Sequence, residues 1–364
     1  MKSELAAPTS ESIPFRIVHV GPEDVGTTWQ RVRAFKDLGV EVHRVFYSLM
    51  SERPKLLLRI YRALRRRVGF PVEQCDENRE LIRTVSRVNP DLVFIEKGLS
   101  IRPQTLIRLR NNYPKLVIFC YSLDDMMNPA NQSRYYIKCI PIYDAHFTTK
   151  FYNVSELMDL GAKRVERTRN AYSPHVHRPV GVSVEDIKEF GADVSFVGDY
   201  EEARGAILNE LARAGIKVRV WGSNWQKFRN PHPGLRLEMR PAFGEDYGKV
   251  VCSSKILLGF LNKANRDVET TRTVEIPAFG AFLLAERTEA QQRLFAEGTH
   301  AEYFGDTVEL IEKITYYLAE DAAREKIAAA GLKHCRNSGY SYEVEMQKII
   351  EEALGIETNW DNEV

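Results

Sequence analysis

The sequence predicts an α/β protein built as two tandem domains, each with a parallel sheet. Three observations carry that prediction. Short apolar runs alternate with helical stretches along almost the whole chain, the pattern of βαβ units. The chain has 364 residues, more than the roughly 100–200 of a single domain. The segment "RIVHVGP" (16–22) is echoed by "DVSFVGD" (193–199), in each case an apolar strand that ends at a glycine and feeds a helix.

The elements follow in order. "FRIVHV" (15–20) reads as a strand ending at Gly21. The helix after it places Trp29, Val32, Phe35 and Leu38 on one face. Then come a strand at 41–46, a basic helical stretch at 54–68 and a charged helix at 77–88. "DLVFIE" (91–96), a helix near 103–112, "KLVIFCYSL" (115–123) and "DAHFTT" (144–149) complete the first half. The stretch "YSPHVHRPVGVSVEDIKEFGA" (172–192) is rich in Pro, Gly and polar residues, which sets a linker at 173–192 between an N-terminal domain, 1–172, and a C-terminal domain, 193–336. In the second domain strands are expected at 193–199, 217–222, 255–261, 281–286 and 301–306, and helices near 307–319 and 321–334. A last helix, 342–354, lies in the terminal segment 337–364. Ligands of such sheets bind beyond the C-terminal ends of the strands. The cleft between the two domains is therefore the expected site.

Composition narrows the function classes. Lys plus Arg number 51 against 50 for Asp plus Glu, a net charge of +1, so nothing in the bulk charge draws the chain to nucleic acid. The five cysteines, Cys75, Cys120, Cys139, Cys252 and Cys335, form no CxxC and read as reduced thiols of a cytoplasmic protein. The polar N-terminus "MKSELAAPTSESIPF" has no apolar core of a signal peptide. No stretch approaches the ~18 apolar residues of a membrane span, so any membrane contact would be peripheral, at the inner face.

Several motifs have two readings. The glycine turns at Gly21 and Gly198 either open the backbone to a ligand at a helix N-terminus or are ordinary tight turns. Arg204 either faces an anion such as a diphosphate or pairs with Glu201 in solvent. Arg272 and Glu275, three apart, are either a surface pair or part of a polar-ligand site, on a short helix with Pro277 in it that ends at Gly280. Asp124 and Asp125, just past a strand, suit a general base or a turn. No DxD triplet occurs, so a DxD-held metal and diphosphate are not indicated. His175 and His177 have no third ligand nearby and read as linker, with no metal site expected. In "KLLLRIYRALRRRVGF" (55–70), Leu57, Ile60, Tyr61, Leu64 and Val68 share a face, with Lys55, Arg59, Arg62, Arg65, Arg66 and Arg67 around it. That pattern fits either peripheral membrane contact or, as the plainer reading, a core-facing helix with a solvated basic side.

Together these segments resemble the spore-maturation-protein (CgeB-like) glycosyltransferases, relatives of the family-four type with the GT-B fold. The resemblance spans nearly the whole chain. It is carried by "NPDLVFIEKG" (89–98), "YSLDD" (121–125), "YDAHFTTKFYNVSELMDLGA" (143–162), "VSFVGDYEEAR" (194–204), "RTVEIPAFGAFLLAERT" (272–288) and "GDTVELIEKITYYLAEDAAREKIAAAG" (305–331). It implies two facing Rossmann-like domains, the first for the acceptor and the second for a nucleotide-sugar donor. It also implies that the final helix packs back on the first domain. The implied reaction is transfer of a sugar from a nucleotide diphosphate-sugar to a hydroxyl of a glycan or small molecule, with no cofactor and no metal. Glu275 would hold the donor ribose; Arg272, Arg204 and Lys255 would face the diphosphate; Phe243 would lie beside the base. Asp124 or Asp125 would contact the sugar or acceptor, and Gly21 and Gly198 would open the cleft. One position departs from the pattern: where relatives have a glutamate eight residues before the one matching Glu275, this chain has Asp267, a shorter acid. That difference motivates a second reading, a GT-B protein that binds nucleotide or glycan without catalysis. A nucleotide-sugar epimerase on the same fold is a third.

Overall fold

The computed structural model describes residues 14–23, 26–48 and 56–358. The chain forms two compact units, residues 1–168 with 346–363 and residues 169–345.

The first unit runs β1 (Arg16–Pro22), α1 (Gly26–Asp37), β2 (Glu41–Ser48), α2 (Leu56–Arg67), α3 (Glu77–Val88), β3 (Leu92–Glu96), α4 (Pro103–Asn112), β4 (Val117–Ser122), α5 (Arg134–Cys139), β5 (Ala145–Thr148), α6 (Phe151–Asp159) and β6 (Val165–Arg167). Its six strands are parallel, in the order β2-β1-β3-β4-β5-β6. The central strand β3 is buried along its whole length, as a strand covered by helices on both faces must be. Its side chains join those of β1 and β4 in a core that includes Val18, Val20, Val93, Ile95 and Ile118.

The second unit runs α7 (Val184–Phe190), β7 (Ala192–Val197), α8 (Glu202–Arg213), β8 (Val218–Trp221), β9 (Leu235–Leu237), α9 (Gly244–Cys252), β10 (Ser254–Gly259), α10 (Thr271–Ala278), β11 (Leu283–Glu286), α11 (Glu289–Leu294), β12 (Glu302–Phe304), α12 (Thr307–Ala319) and α13 (Asp321–Asn337). A last helix, α14 (Tyr342–Ala353), begins here and ends in the first unit. The parallel order is β12-β11-β10-β7-β8-β9. Alternate residues feed two cores. Val197, Leu257, Leu283 and Ala285 lie on one face, and Val194, Phe196, Ile256, Leu258 and Leu284 on the other.

The strand–helix alternation read from the sequence holds in both units. Two edge strands carry no signal in it, because "VER" at β6 and "LRL" at β9 are only three residues long. The stretch read as linker contains α7, closed at its start by a capping box between Ser183 and Asp186. All five cysteines are free thiols. No described helix is long and apolar enough to cross a membrane.

One expectation is corrected. α2 does not turn its apolar face to the core. Ile60, Tyr61, Leu64 and Val68 are 48, 50, 59 and 54 % exposed, and no described side chain of α2 belongs to the first unit's core. Among the described residues, Arg62, across from the apolar face, and Arg65, beside it, are the half-buried arginines. The helix therefore packs through its arginine side.

Candidate functional site

In an open parallel sheet the crevice opens where the winding reverses direction. In the second unit that point lies between β7 and β10, and several of the residues singled out in the sequence meet there. Arg272 sits in the first turn of α10. Its Nε donates to the carbonyl of Val197, the last residue of β7, at 3.2 Å, so the N-terminus of α10 stands over the strand ends. A helix N-terminus presents unpaired N–H groups and favours negative charge. Arg204, in the first turn of α8, braces the same crevice from the other side. It donates to the carbonyls of Asp199 at 3.0 Å and Leu261 at 3.2 Å, and pairs with Glu201 at 2.8 Å. So the Glu201 pairing occurs, but in a mostly buried position that bridges the segments following β7 and β10.

Arg272 is held by a buried acid. Glu275, one turn along α10, accepts from the Arg272 guanidinium and from the Tyr247 hydroxyl at 3.2 Å. The guanidinium also lies 4.5 Å from the centre of the Tyr247 ring. His177 faces the other carboxylate oxygen at 3.7 Å. Its Nδ1 accepts from the backbone N–H of Ser173 at 2.9 Å, so the proton of the neutral ring is on Nε2, the nitrogen that faces Glu275. Burial opposes ionisation of Glu275, but Arg272, His177 and Tyr247 outweigh it and hold its carboxyl below the usual range. Burial also pushes the His177 imidazole down and the Tyr247 phenol up. Glu275 is thus a buried anion, while Arg272 keeps 29 % of its side chain exposed.

The remaining second-unit candidates divide. Phe243 is an exposed aromatic at the N-cap of α9, one turn before Tyr247. Gly198 directly follows β7, and a Cβ there would come within 2.5 Å of the Phe196 ring. Asp267 folds back on its own loop. Its carboxylate accepts from the side chain of Asn265 at 2.9 Å and the N–H of Asn262 at 3.4 Å. Gly280, at φ 75°, terminates α10 at the end far from Arg272, against Leu332. Lys255 is not brought to this crevice. It lies at the N-terminal end of β10 and pairs with Asp193 at 3.0 Å, at the opposite end of the strands.

In the first unit the winding reverses between β1 and β3. A buried polar cluster fills that point. Glu96, the last residue of β3, accepts from Arg31 Nε at 2.8 Å and Nη2 at 2.7 Å, from Thr28 at 2.7 Å, and meets His19 Nε2 at 2.9 Å. All four side chains are buried. Burial opposes the Glu96 charge, but Arg31 and His19 overcome it and hold the carboxyl well below the usual range; burial pushes the His19 imidazole down. Gly21 closes over this cluster, since a Cβ there would meet the His19 ring at 2.7 Å.

The two aspartates after β4 have different environments. Asp125 is buried and structural, accepting from Met127 N–H at 3.0 Å and Asn153 Nδ2 at 2.9 Å. Asp124 is partly exposed and pairs with Lys97. Lys97 follows Glu96 directly and holds a left-handed φ of 58°, uncommon for a residue with a side chain. The signal for Lys97 was its place in "IEKG", between a strand's final acid and a glycine. His177 and Tyr247 gave no local signal, because only the fold brings them to Glu275.

Residues 204–351 match the family model described as glycosyl transferase-like. That stretch contains Arg204, Phe243, Lys255, Asp267, Arg272, Glu275 and Gly280. No curated protein sequence matches the chain. Among solved structures, the sucrose-phosphate synthase of Thermosynechococcus elongatus aligns with a TM-score of 0.65 at 12% identity, over 94% of this chain and 98% of the other. HepE of Anabaena, solved in complex with UDP-glucose, aligns with a TM-score of 0.61 at 10% identity, over 94% and 100%. A putative UDP-N-acetylglucosamine 2-epimerase from Listeria monocytogenes aligns with a TM-score of 0.56 at 12% identity, over 95% and 98%. At these identities the likeness establishes the fold: two parallel-sheet, Rossmann-like α/β units of the GT-B type.

Proposed function

We propose that the chain is a glycosyltransferase of the CgeB-like kind, moving a sugar from a nucleoside diphosphate-sugar to an acceptor hydroxyl. One observation carries the reading furthest. The stretch matching the glycosyl transferase-like model contains Arg272, whose partly exposed side chain lies at the β7–β10 crevice on a helix N-terminus and is fixed there by buried Glu275. A planar guanidinium held in place suits a diphosphate, because it donates two parallel hydrogen bonds to an anion and needs no reorganisation. The complex of HepE with UDP-glucose supports a nucleoside diphosphate-sugar as the ligand class.

In this reading the second unit holds the donor. Arg272 and the α10 N-terminus meet the diphosphate, Arg204 shapes the other wall, Phe243 stacks beside the base, and Glu275 is assigned to the ribose hydroxyls. Arginines and N–H groups carry the phosphate charge, and no metal is required. The first unit serves the acceptor, with Asp124, paired to Lys97, as the acid that meets the sugar or acceptor hydroxyl. Asp125 shapes that loop from below.

The test is incubation with UDP-, GDP- and dTDP-sugars in chelator. A transferase slowly releases free nucleoside diphosphate. The likeness to the putative 2-epimerase gives the competing outcome a concrete form: interconversion of UDP-N-acetylglucosamine and its 2-epimer without release of UDP. Nucleotide binding with neither outcome, in the presence of an authentic acceptor, would identify a binding protein.

A further inference from the structure

The outward-facing stripe of α2 has no place in the reading above. At 100° per residue, Ile60, Tyr61 and Leu64, with Val68 in the turn that continues the helix, fall within an arc of about 100°. All four are about half exposed or more. Arg65 and Arg67 flank this arc, and Arg62 lies across from it. The Nε atoms of Arg62 and Arg65 are shut off from solvent, which shows which side of the helix meets the protein. An apolar stripe that faces outward on a helix attached by its arginine side is the reverse of an ordinary surface helix. Contiguous exposed apolar side chains of this kind mark contact surfaces.

The surroundings identify the contact. The chain is nearly neutral overall, yet residues 56–72 carry five arginines and no acid, and residues 126–143 also lack an acid. The start of α5 is tied to the end of α2, where Arg134 N–H donates to the carbonyl of Gly69 at 2.7 Å. Between them lies an open pocket of about 430 Å³ whose charged lining residues are Arg67, Arg134 and Lys138. Its aromatic wall, Phe70, has the Arg134 guanidinium 5.2 Å and the Arg65 guanidinium 5.7 Å from its ring centre. Val68 belongs to both the stripe and the pocket, so apolar surface and cationic pocket are continuous.

We propose that the apolar stripe of α2 and the basic pocket beside it are a docking surface for an anionic phospholipid bilayer. Ile60, Leu64 and Val68 enter the boundary between headgroups and acyl chains, and Arg67, Arg134 and Lys138 meet lipid phosphates. The surface potential of anionic lipids adds to the apolar burial, and the two together give reversible binding of a chain that does not span the membrane.

The test is sedimentation of the full chain with two kinds of vesicle: phosphatidylcholine alone and phosphatidylcholine mixed with phosphatidylglycerol. The expected result is binding to the mixed vesicles, at least ~10-fold stronger than to the neutral ones and weakened by high salt, because exposed charges are screened. Leu64→Asp is expected to abolish binding, and Arg67→Glu with Lys138→Glu to reduce it to the level of neutral vesicles. All three positions are exposed, so circular dichroism should be unchanged. Calorimetric binding of UDP should be unchanged in Leu64→Asp, which separates this proposal from the donor-binding one. Failure to sediment with mixed vesicles, or equal binding to both kinds, overturns it. So does a dimer in sedimentation velocity that Leu64→Asp dissolves, since the stripe would then be covered by a second copy of the chain.

Discussion

The two units reach the same kind of crevice by different windings and fill it differently. In the first, β1 has β2 on one side and β3 on the other, an order of the flavodoxin type. In the second, β7 stands between β10 and β8, the 3-2-1-4-5-6 order of dinucleotide-binding sheets. At the first reversal, Glu96 is answered on both oxygens by Arg31, Thr28 and His19, and the cluster is buried. At the second, Arg272 is oriented by Glu275 but keeps an exposed side. A charge satisfied wholly from within fixes the strand ends. A charge held on one side and open on the other can take up a ligand. The comparison separates a structural network from a candidate binding group, although both are arginine–glutamate pairs at the ends of parallel strands.

The largest effect should come from breaking the closed cluster. Glu96→Gln keeps the shape but leaves Arg31 buried without its counter-charge, a change that costs about 3–5 kcal/mol. It should appear as a lower urea midpoint, and no change there would make the cluster dispensable. The pH dependence has a defined sign. The Glu96 carboxyl is held low when folded, so its stabilisation is present above the ordinary carboxylate range and is lost as pH falls through the folded value. The lowered His19 adds to this, since below about pH 6.5 the unfolded imidazole takes up a proton that the folded one resists. Glu96→Gln should therefore lose less stability on acidification than the native chain.

The next effect belongs to the open crevice. Arg272→Ala should weaken UDP binding roughly 10- to 100-fold in calorimetry, the size of a charge-assisted pair of hydrogen bonds. Glu275→Ala should also weaken it, by freeing Arg272 to move as well as by losing its own contact. Unchanged affinity in both would remove this crevice from donor binding. The two aspartates sharpen the contrast on the other unit. Asp124→Asn should lower turnover at least ~10-fold with little change in donor affinity, as for a group acting on a proton in the reaction. Asp125→Asn should instead lower the unfolding free energy by about 1–2 kcal/mol, because it disturbs the buried hydrogen bond from Asn153 and the partly buried one from Met127 N–H. The smallest effect is expected at Lys255→Ala. Its pair with Asp193 is exposed and at the N-terminal ends of the strands, away from the crevice, so stability should change by less than ~0.5 kcal/mol and nucleotide affinity not at all.

Much of this was legible along the chain. Strand runs at 16–22 and 193–199 and the helix–strand junction at 272–286 announced themselves by apolar pattern and glycine. Arg272, Glu275 and Asp124 lay where a parallel sheet places its ligand groups. Other parts were not legible. The three-residue strands β6 and β9 are too short for periodicity. His177 sat in a stretch that read as linker, and its role comes from Tyr247 and Glu275, far away in sequence. The resemblance alone assigned Lys255 to the diphosphate, whereas its place at the start of β10 sets it at the end of the strands far from the α10 N-terminus.

The sequence by itself determined the alternation of strands and helices, two parallel sheets, and the amphipathic character of α2, because each is a local pattern of side-chain spacing. Only the tertiary structure decided the two winding orders, which arginine–glutamate pair is closed and which is open, and which side of α2 meets the protein. Those depend on which distant segments pair and what then covers each face. Spacing along the chain shows that a helix has two sides, and packing alone chooses the one that stays outside.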